Sequence, residues 1–134
     1  GGFTSALMAT VEPRLAFSVP LIPFASLPVM IWEHSKATPS QRDAVDRGVN
    51  ISSLTAAMRA ISPLNRSPVI SPERILMIAG ANDRITPAFH ARMLHEHFSG
   101  SKLYIFPGGH LYQYGRRQGF QRFRQFLQAN ALIE

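Results

Sequence analysis

The sequence predicts an α/β fold, with a mainly parallel sheet between flanking helices in three layers. Short apolar runs alternate with segments in which apolar residues recur at helical spacing, and no internal repeat or low-complexity tract interrupts this order. The chain has 134 residues, of which 46% are hydrophobic, and this is enough to build the core of one small domain. Functional groups are then expected at the carboxyl edge of the sheet.

The first thirty residues are predicted to form a helix, a strand and a loop. Small residues from Phe3 to Glu12 favour a helix, which Pro13 ends. The apolar run from Leu15 to Val19 is typical of a buried strand, because β-branched and aromatic side chains pack well in a sheet. The proline-rich segment that continues to Trp32 is predicted to be a loop, and its prolines are incompatible with a membrane-spanning helix.

The more polar segment from 33 to 72 is predicted to be a lid or cap. An excursion of about forty residues between two strands is longer than a simple crossover connection requires. It contains a short helix that Gly48 ends and a second helix that Ser52 or Ser53 caps. The apolar stripe of the second helix consists of Leu54, Met58 and Ile61.

After this excursion the chain is predicted to return to strands joined by helices. The runs RILMIA and KLYIF are typical of strands, and the turns GAND and PGGH follow them. Between them, Thr86 is the predicted N-cap of a helix with Pro87 at its first position, and Ser99-Gly100 ends it. A final amphipathic helix is predicted from about Gly119 to Ala129. The buried stripes of these two helices are predicted to be Phe89, Met93, Leu94 and Phe98 in the first and Phe120, Phe123 and Leu127 in the second.

Asp83 and His110 are the candidate catalytic residues. Each follows a predicted strand, so both are expected at the same edge of a parallel sheet. Adjacent loops then bring a carboxylate to one imidazole nitrogen, while the other nitrogen takes and returns a proton. Each motif also has an interpretation without function, because Asn-Asp and Pro-Gly-Gly are ordinary turn sequences. The pair, with one residue at the end of each of two successive strands, is the more specific signal.

These two motifs resemble those of the α/β-hydrolase superfamily. In that superfamily the catalytic acid commonly lies in G-x-x-D-x-[IV]-[TV]-P after the penultimate core strand, and Gly80 to Pro87 reads GANDRITP. The catalytic histidine follows the last strand, often as G-G-H, as in Gly108 to His110. The resemblance implies that residues 1 to 134 are the C-terminal part of one α/β-hydrolase domain, with the lid at 33 to 72. It also implies a serine esterase or lipase-like acyl hydrolase in which Asp83 orients His110.

The resemblance places the nucleophile outside the chain. The superfamily carries its serine in G-x-S-x-G, and no such motif occurs here. The chain begins Gly1-Gly2, which is similar to the end of that motif, so we expect the serine two residues before Gly1 and an inactive chain in isolation. Ser5 lies within the first predicted helix, without a preceding strand to form a strained elbow, and is not expected to replace it. The implied partners are a small acyl or ester substrate and the missing N-terminal half of the domain; no metal and no organic cofactor is implied.

The other histidines and two tyrosines are secondary candidates. Three histidines share one predicted helix, namely His90, His95 and His97. They lack the H-E-x-x-H spacing of a zinc site and are expected to be solvated or at the rim of the site. His34 is interpreted as a packed loop residue that can also line a substrate pocket. Tyr112 and Tyr114 either border the mouth of the active site or pack as part of an amphipathic segment.

The composition excludes several classes of protein. Without cysteine the chain has no disulfide, thiolate nucleophile or cysteine-bound metal. Its 14 Lys and Arg residues against 8 Asp and Glu residues give a net charge of +6, gathered partly near the C-terminus. No stacking or RNA-binding signature accompanies these charges, so nucleic acid is not an expected partner. We expect a soluble, cytoplasmic protein, although the sequence does not fix the compartment.

Two alternatives stay open at the level of sequence. In the first, the chain is a non-enzymatic α/β binding or scaffold domain in which Asp83 and His110 are turn residues. In the second, the fold is retained but the reaction is that of a haloperoxidase, dehalogenase or acyltransferase. The residues upstream of Gly1 test the first alternative, because a strand that ends in G-x-S-x supports the enzyme.

Overall fold

A computed structural model describes all residues from 1 to 134. Six helices and two strands follow one another along the chain. They are α1 (Gly2–Met8), α2 (Leu27–His34), α3 (Pro39–Asp46), α4 (Ile51–Ala57), β1 (Leu76–Gly80), α5 (Phe89–His97), β2 (Lys102–Phe106) and α6 (Arg116–Ala129). Short 3₁₀ turns lie at Arg59–Ile61, Pro63–Asn65 and Pro72–Arg74. No helix has the length and apolarity that crossing a bilayer would require.

The sheet is parallel, as predicted. β1 pairs with β2 from Leu76 opposite Lys102 to Gly80 opposite Phe106. The predicted strand at Leu15 to Val19 is displaced and interrupted. This part of the chain makes only isolated bridges, from Ser18 to Ile75 just before β1 and from Leu21 to Ile78 within β1. This interruption has a physical cause: Pro20 has no N–H to donate, and Ile22 has a positive φ of 49°.

Helices cover both faces of β1. Because side chains alternate along a strand, Met77 points to one face and Ile78 to the other. The Met77 face packs against α1 and α5, and the Ile78 face packs against α6. The first core is built from Ala6, Ala9, Ala25, Ile70, Ile75, Met77, Leu94 and Phe98, and the second from Leu76, Ile78, Phe106 and Phe126. The predicted three-layer α/β architecture is therefore confirmed.

At the start of the chain the structure differs from the sequence prediction in two places. The first helix ends at Met8 rather than continuing to Glu12. The proline-rich segment predicted as a loop contains α2, whose N-cap Ser26 accepts a hydrogen bond from the N–H of Val29. Pro28 lies at the second position of this helix, where a missing N–H costs no intrahelical hydrogen bond.

The helix after β1 starts later than predicted and buries only part of the predicted stripe. α5 begins at Phe89, and Thr86 does not cap it. Of the predicted stripe, Leu94 and Phe98 are buried, but Phe89 and Met93 are exposed. His90 and Ala91 are buried in their place. In α6 the start is earlier than predicted, at Arg116, and Phe120 is exposed while Gly119 and Phe126 are buried. Phe123 and Leu127 are half-buried, as the helical spacing predicted.

The segment from 33 to 72 contains the two helices that were predicted, α3 and α4. The N-cap of α4 is Asn50 rather than Ser52 or Ser53, and Ser53 completes a capping box with it. Of the predicted stripe of α4, Leu54 and Met58 are half-buried and Ile61 is exposed. Pro63 and Ile70 are the only buried residues between 33 and 72. The segment therefore lies mostly on the surface.

Candidate active site

The loops that follow β1 and β2 are in direct contact. A Cβ atom on Gly80 would lie 2.6 Å from the carbonyl oxygen of Gly108, and one on Gly109 would lie 2.6 Å from that of Asn82. Only glycine lets the two backbones approach so closely. The side-chain amide of Asn82 also donates a hydrogen bond of 2.6 Å to the carbonyl of Pro107. These contacts fix the spacing between the loops that carry Asp83 and His110.

Asp83 is held by its own loop. Its side chain is fully buried, and its Oδ1 accepts hydrogen bonds from the backbone N–H groups of Ile85 (2.9 Å) and Thr86 (2.7 Å). This is the local turn chemistry typical of aspartate. It leaves Oδ2 for a partner outside the loop.

That partner is His110. The distance from Nδ1 of His110 to Oδ2 of Asp83 is 3.0 Å. Because the carboxylate oxygen accepts, the proton of the neutral imidazole lies on Nδ1 and Nε2 carries the free lone pair. No group of the chain is hydrogen-bonded to Nε2, and the His110 side chain is 39% exposed. The structure thus brings together both residues that the strand-end motifs selected, in the geometry of an oriented general base.

Two cavities meet at His110. The first, the mouth cavity, has a volume of about 400 Å³; Arg84, Leu111, Tyr112 and Tyr114 are among its lining residues. Both tyrosines are strongly exposed, so they border the mouth rather than pack in the core. The second, the apolar cavity, has a volume of about 560 Å³. Besides His110, its lining includes Gly1, Phe3, Ser5, Leu21, Phe24, Met30 and Ile85.

Ser5 lies in α1 and reaches the apolar cavity, but it is not linked to the histidine. Its carbonyl oxygen accepts a hydrogen bond of 2.9 Å from the Ser18 hydroxyl, and no hydrogen bond joins Ser5 to His110. Its backbone is helical, whereas a nucleophile elbow requires a sharp turn between a strand and a helix. Ser5 therefore lacks the setting of an activated nucleophile.

His90 differs most from the sequence expectation, which placed it in solvent or at the rim. It is 3% exposed, and its Nδ1 accepts a hydrogen bond of 3.3 Å from the N–H of Ala25. Burial lowers the pKa of His90 below its ordinary value, and the nearby His34 lowers it further. The sequence held a signal for this burial, because His90 is four and eight residues before the buried Leu94 and Phe98.

The remaining histidines make structural contacts. Nδ1 of His95 is 3.0 Å from the hydroxyl of Ser101, and Nε2 of His97 is 2.9 Å from the carbonyl oxygen of Arg66. His34 is exposed at the end of α2. No three His, Asp or Glu side chains lie close enough together to hold a metal ion.

The chain is similar to known proteins in both sequence and structure. No family model matches the sequence. The uncharacterized protein Rv2627c of Mycobacterium tuberculosis (strain ATCC 25618 / H37Rv) is 28% identical over 111 residues, which are 82% of this chain and 26% of that protein. Acetyl xylan esterase 1 from Thermoanaerobacterium sp. JW/SL YS485 matches with a TM-score of 0.62 and 21% identity, over 92% of this chain and 41% of that chain. An esterase of Pyrococcus furiosus matches with a TM-score of 0.60 and 15% identity, over 96% of this chain and 50% of that chain. The chain thus spans about a quarter of the protein that it matches in sequence, and half or less of each of these two esterases.

Proposed function

The chain has part of the α/β-hydrolase fold, and on this premise we propose that it is the C-terminal portion of a serine esterase or lipase-like acyl hydrolase. Residues 1 to 134 then belong to one catalytic domain, and the segment from 33 to 72 is its lid. The observation that carries the proposal is the hydrogen bond between Nδ1 of His110 and Oδ2 of Asp83. A carboxylate anchored through its other oxygen cannot rotate away from the imidazole, so the pair is preorganised.

In the proposed reaction, a serine from outside these residues attacks the acyl carbonyl of the substrate. Nε2 of His110 takes the serine proton and then returns it to the leaving alcohol, which completes the acyl-enzyme step. Asp83 keeps the imidazole in the required tautomer and stabilises the imidazolium that forms. A water molecule, activated by the same nitrogen, then releases the acid.

The surroundings of Gly1 support this placement of the serine. Gly1 and Gly2 line the same apolar cavity as His110. A residue two positions before Gly1 would therefore lie next to that cavity. The backbone around Gly2 is closely packed, because a Cβ atom there would clash with the carbonyl oxygen of Leu21. In a nucleophile elbow a helix follows the serine directly, and here α1 begins at Gly2. The backbone N–H of the residue after the serine would then supply one oxyanion donor.

Ester hydrolysis by the full-length protein tests the proposal. A short p-nitrophenyl ester is the substrate, and wild type is compared with His110→Ala and with replacement of the upstream serine by Ala. We expect both variants to lose nearly all activity while they keep the wild-type melting temperature. A His110→Ala variant with wild-type turnover would refute the role of His110.

The chain of 134 residues on its own is the second arm of this test. We expect it to hydrolyse no ester, because the proposed nucleophile is absent. If the isolated chain is active, Ser5→Ala shows whether Ser5 supplies the nucleophile. Thr4→Ala is the matched control, because Thr4 is an exposed hydroxyl residue on the same helix.

A further inference from the structure

A third cavity, of about 570 Å³, lies between α2 and the start of α5. It is referred to here as the α2–α5 cavity. It adjoins the site on two sides, because Met30 also lines the apolar cavity and Arg84 also lines the mouth cavity. Its lining residues are Val29, Met30, Glu33, His34, Arg84, Pro87, Phe89 and His90.

His90 presents a hydrogen-bond donor to this cavity. The N–H of Ala25 donates to its Nδ1, so the proton of the neutral ring lies on Nε2. Nε2 has no hydrogen-bond partner in the chain. Every side-chain nitrogen or oxygen that is buried does have a partner, so Nε2 itself is not fully buried. Nε2 is therefore the part of this buried residue that remains accessible. Since His90 lines the α2–α5 cavity, an N–H held rigidly by the core is available to a ligand there.

Positive charge accompanies this donor. Arg84 forms no salt bridge and no side-chain hydrogen bond, so its guanidinium is free to pair with a ligand. Phe89 and His90 belong to the first turn of α5, a helix with no side-chain cap, whose N–H groups carry partial positive charge. Glu33 is the only acid in the lining. The Nδ1 of His34 bonds the carbonyl of Met30, which leaves its Nε2 unpaired.

We propose that the α2–α5 cavity binds a carboxylate at the far end of the substrate's acyl chain. The inference rests on the proposed function and names its substrate class: esters of a dicarboxylic acid with one free carboxylate. Arg84 pairs with the carboxylate, and Nε2–H of His90 donates to one of its oxygens. The acyl chain runs from the carbonyl at His110 through the apolar cavity and past Met30.

A matched pair of esters tests the substrate class in the full-length protein. Mono-p-nitrophenyl glutarate carries the terminal carboxylate, and p-nitrophenyl pentanoate has the same chain length without it. We expect a higher kcat/KM for the glutarate ester, and we expect Arg84→Gln to lower the ratio of the two kcat/KM values about tenfold. Glu33→Gln should raise this ratio, because it removes the one charge that repels the ligand. Arg92→Gln, which removes an exposed arginine of α5 outside the cavity, should leave both rates unchanged.

Direct binding separates this inference from the proposed function. The ring ¹⁵N signals of the histidines are followed while glutarate is added, with glutaramide as the uncharged control. A His90 Nε2 signal that shifts with glutarate but not with glutaramide supports carboxylate binding in the α2–α5 cavity. This holds even if no ester is hydrolysed and the proposed function fails. Ester hydrolysis with a ratio that Arg84→Gln does not change, or a His90 signal that glutarate leaves in place, would overturn the inference while the proposed function stands.

Discussion

The α carbon of Gly109 approaches Asn82 so closely that a Cβ atom at position 109 would lie 2.6 Å from the Asn82 carbonyl oxygen. The obstacle is backbone rather than a flexible side chain, so any side chain at this position must push the two loops apart. Asn82 immediately precedes Asp83, and Gly109 immediately precedes His110. The hydrogen bond between the acid and the histidine therefore depends on a contact made by their neighbours.

Gly109→Ala should lower both stability and activity. We expect a loss of about 1 to 3 kcal/mol in the free energy of unfolding, because the added methyl group overpacks the contact. The displacement of the two loops should also lengthen the distance between Asp83 and His110 and reduce kcat for ester hydrolysis. Gly119→Ala is the control, since its Cβ would meet Ile78 at an ordinary 3.5 Å. That variant should gain up to about 1 kcal/mol from helix propensity, and a Gly109→Ala protein that behaves like it would show that the loops are not in contact.

Asp83→Asn and Asp83→Ala should separate the two roles of this carboxylate. The Asn variant keeps an oxygen for the N–H groups of Ile85 and Thr86, but its amide no longer fixes the imidazole tautomer. We expect wild-type stability and a decrease in kcat of about 10⁴-fold. The Ala variant also leaves the two N–H groups without an acceptor and should unfold more easily by about 1 to 3 kcal/mol. Urea unfolding and ester hydrolysis measure both effects, and equal stability of the two variants would contradict the anchoring role of Oδ1.

Asn82→Asp should weaken the bridge between the loops without a change in side-chain size. An ionised carboxylate cannot donate a hydrogen bond to the carbonyl oxygen of Pro107. It also repels that oxygen, which lies 2.6 Å from Nδ2 of Asn82 in the native chain. The loss of the hydrogen bond should cost about 0.5 to 1.5 kcal/mol of stability. Ester hydrolysis should also slow, because small displacements of catalytic groups reduce turnover. Asn65→Asp, at an exposed position of the segment from 33 to 72, provides the comparison and should leave turnover unchanged.

His90 should make the stability of the native protein depend on pH. Its pKa is lowered by burial in the folded chain, so near neutral pH it is uncharged in both the folded and the unfolded state. As the pH falls below about 6.5, the unfolded chain takes up a proton at His90 before the folded chain does. The contribution of His90 to stability is therefore present above this pH and lost below it, and the melting temperature should fall accordingly.

His90→Asn isolates this effect. The side-chain oxygen of Asn can still accept the N–H of Ala25, but the residue no longer titrates. The charged or titratable groups that line the same cavity are Glu33, His34 and Arg84, and they stay in place. The difference in melting temperature between wild type and this variant should shrink from pH 8 to pH 5. A constant difference across that range would show that His90 does not resist protonation.

The positions of Asp83 and His110 were predictable because they depend on local sequence. RILMIA and KLYIF are apolar runs that end in glycine-rich turns, and the position of Asp83 and His110 follows from that order alone. The start of α5 was not predictable in the same way. Asp83 accepts the N–H groups of Ile85 and Thr86, and α5 begins only at Phe89. His90 and Ala91 then join the predicted Leu94 and Phe98 in the buried stripe.

The proline-rich segment shows a second limit. Whether Pro28 breaks a helix or sits harmlessly in its first turn depends on Ser26, whose hydroxyl caps α2. The burial of His90 depends on the backbone of Ala25, which is 65 residues away in sequence. The helical spacing of His90 from Leu94 and Phe98 indicates burial, but nothing in the sequence identifies Ala25 as its partner. The hydrogen bond from Asn82 to Pro107 was not predicted either. In the sequence Asn82 is an ordinary turn residue, and nothing indicates that its side chain reaches another loop.

The acid and the histidine are only 27 residues apart, and a single β1–α5–β2 unit carries them. Closing so short a loop costs little chain entropy, and units of this kind often open and close as one cooperative block. The hydrogen bond between Asp83 and His110 is therefore expected to form early, with the pairing of β1 and β2, and to persist until those strands separate. Hydrogen exchange should then give a shared opening free energy to the amides of Lys102 and Ala81, which donate across the pairing to Ile75 and Phe106. The Asp83 to His110 hydrogen bond should be lost in that same step.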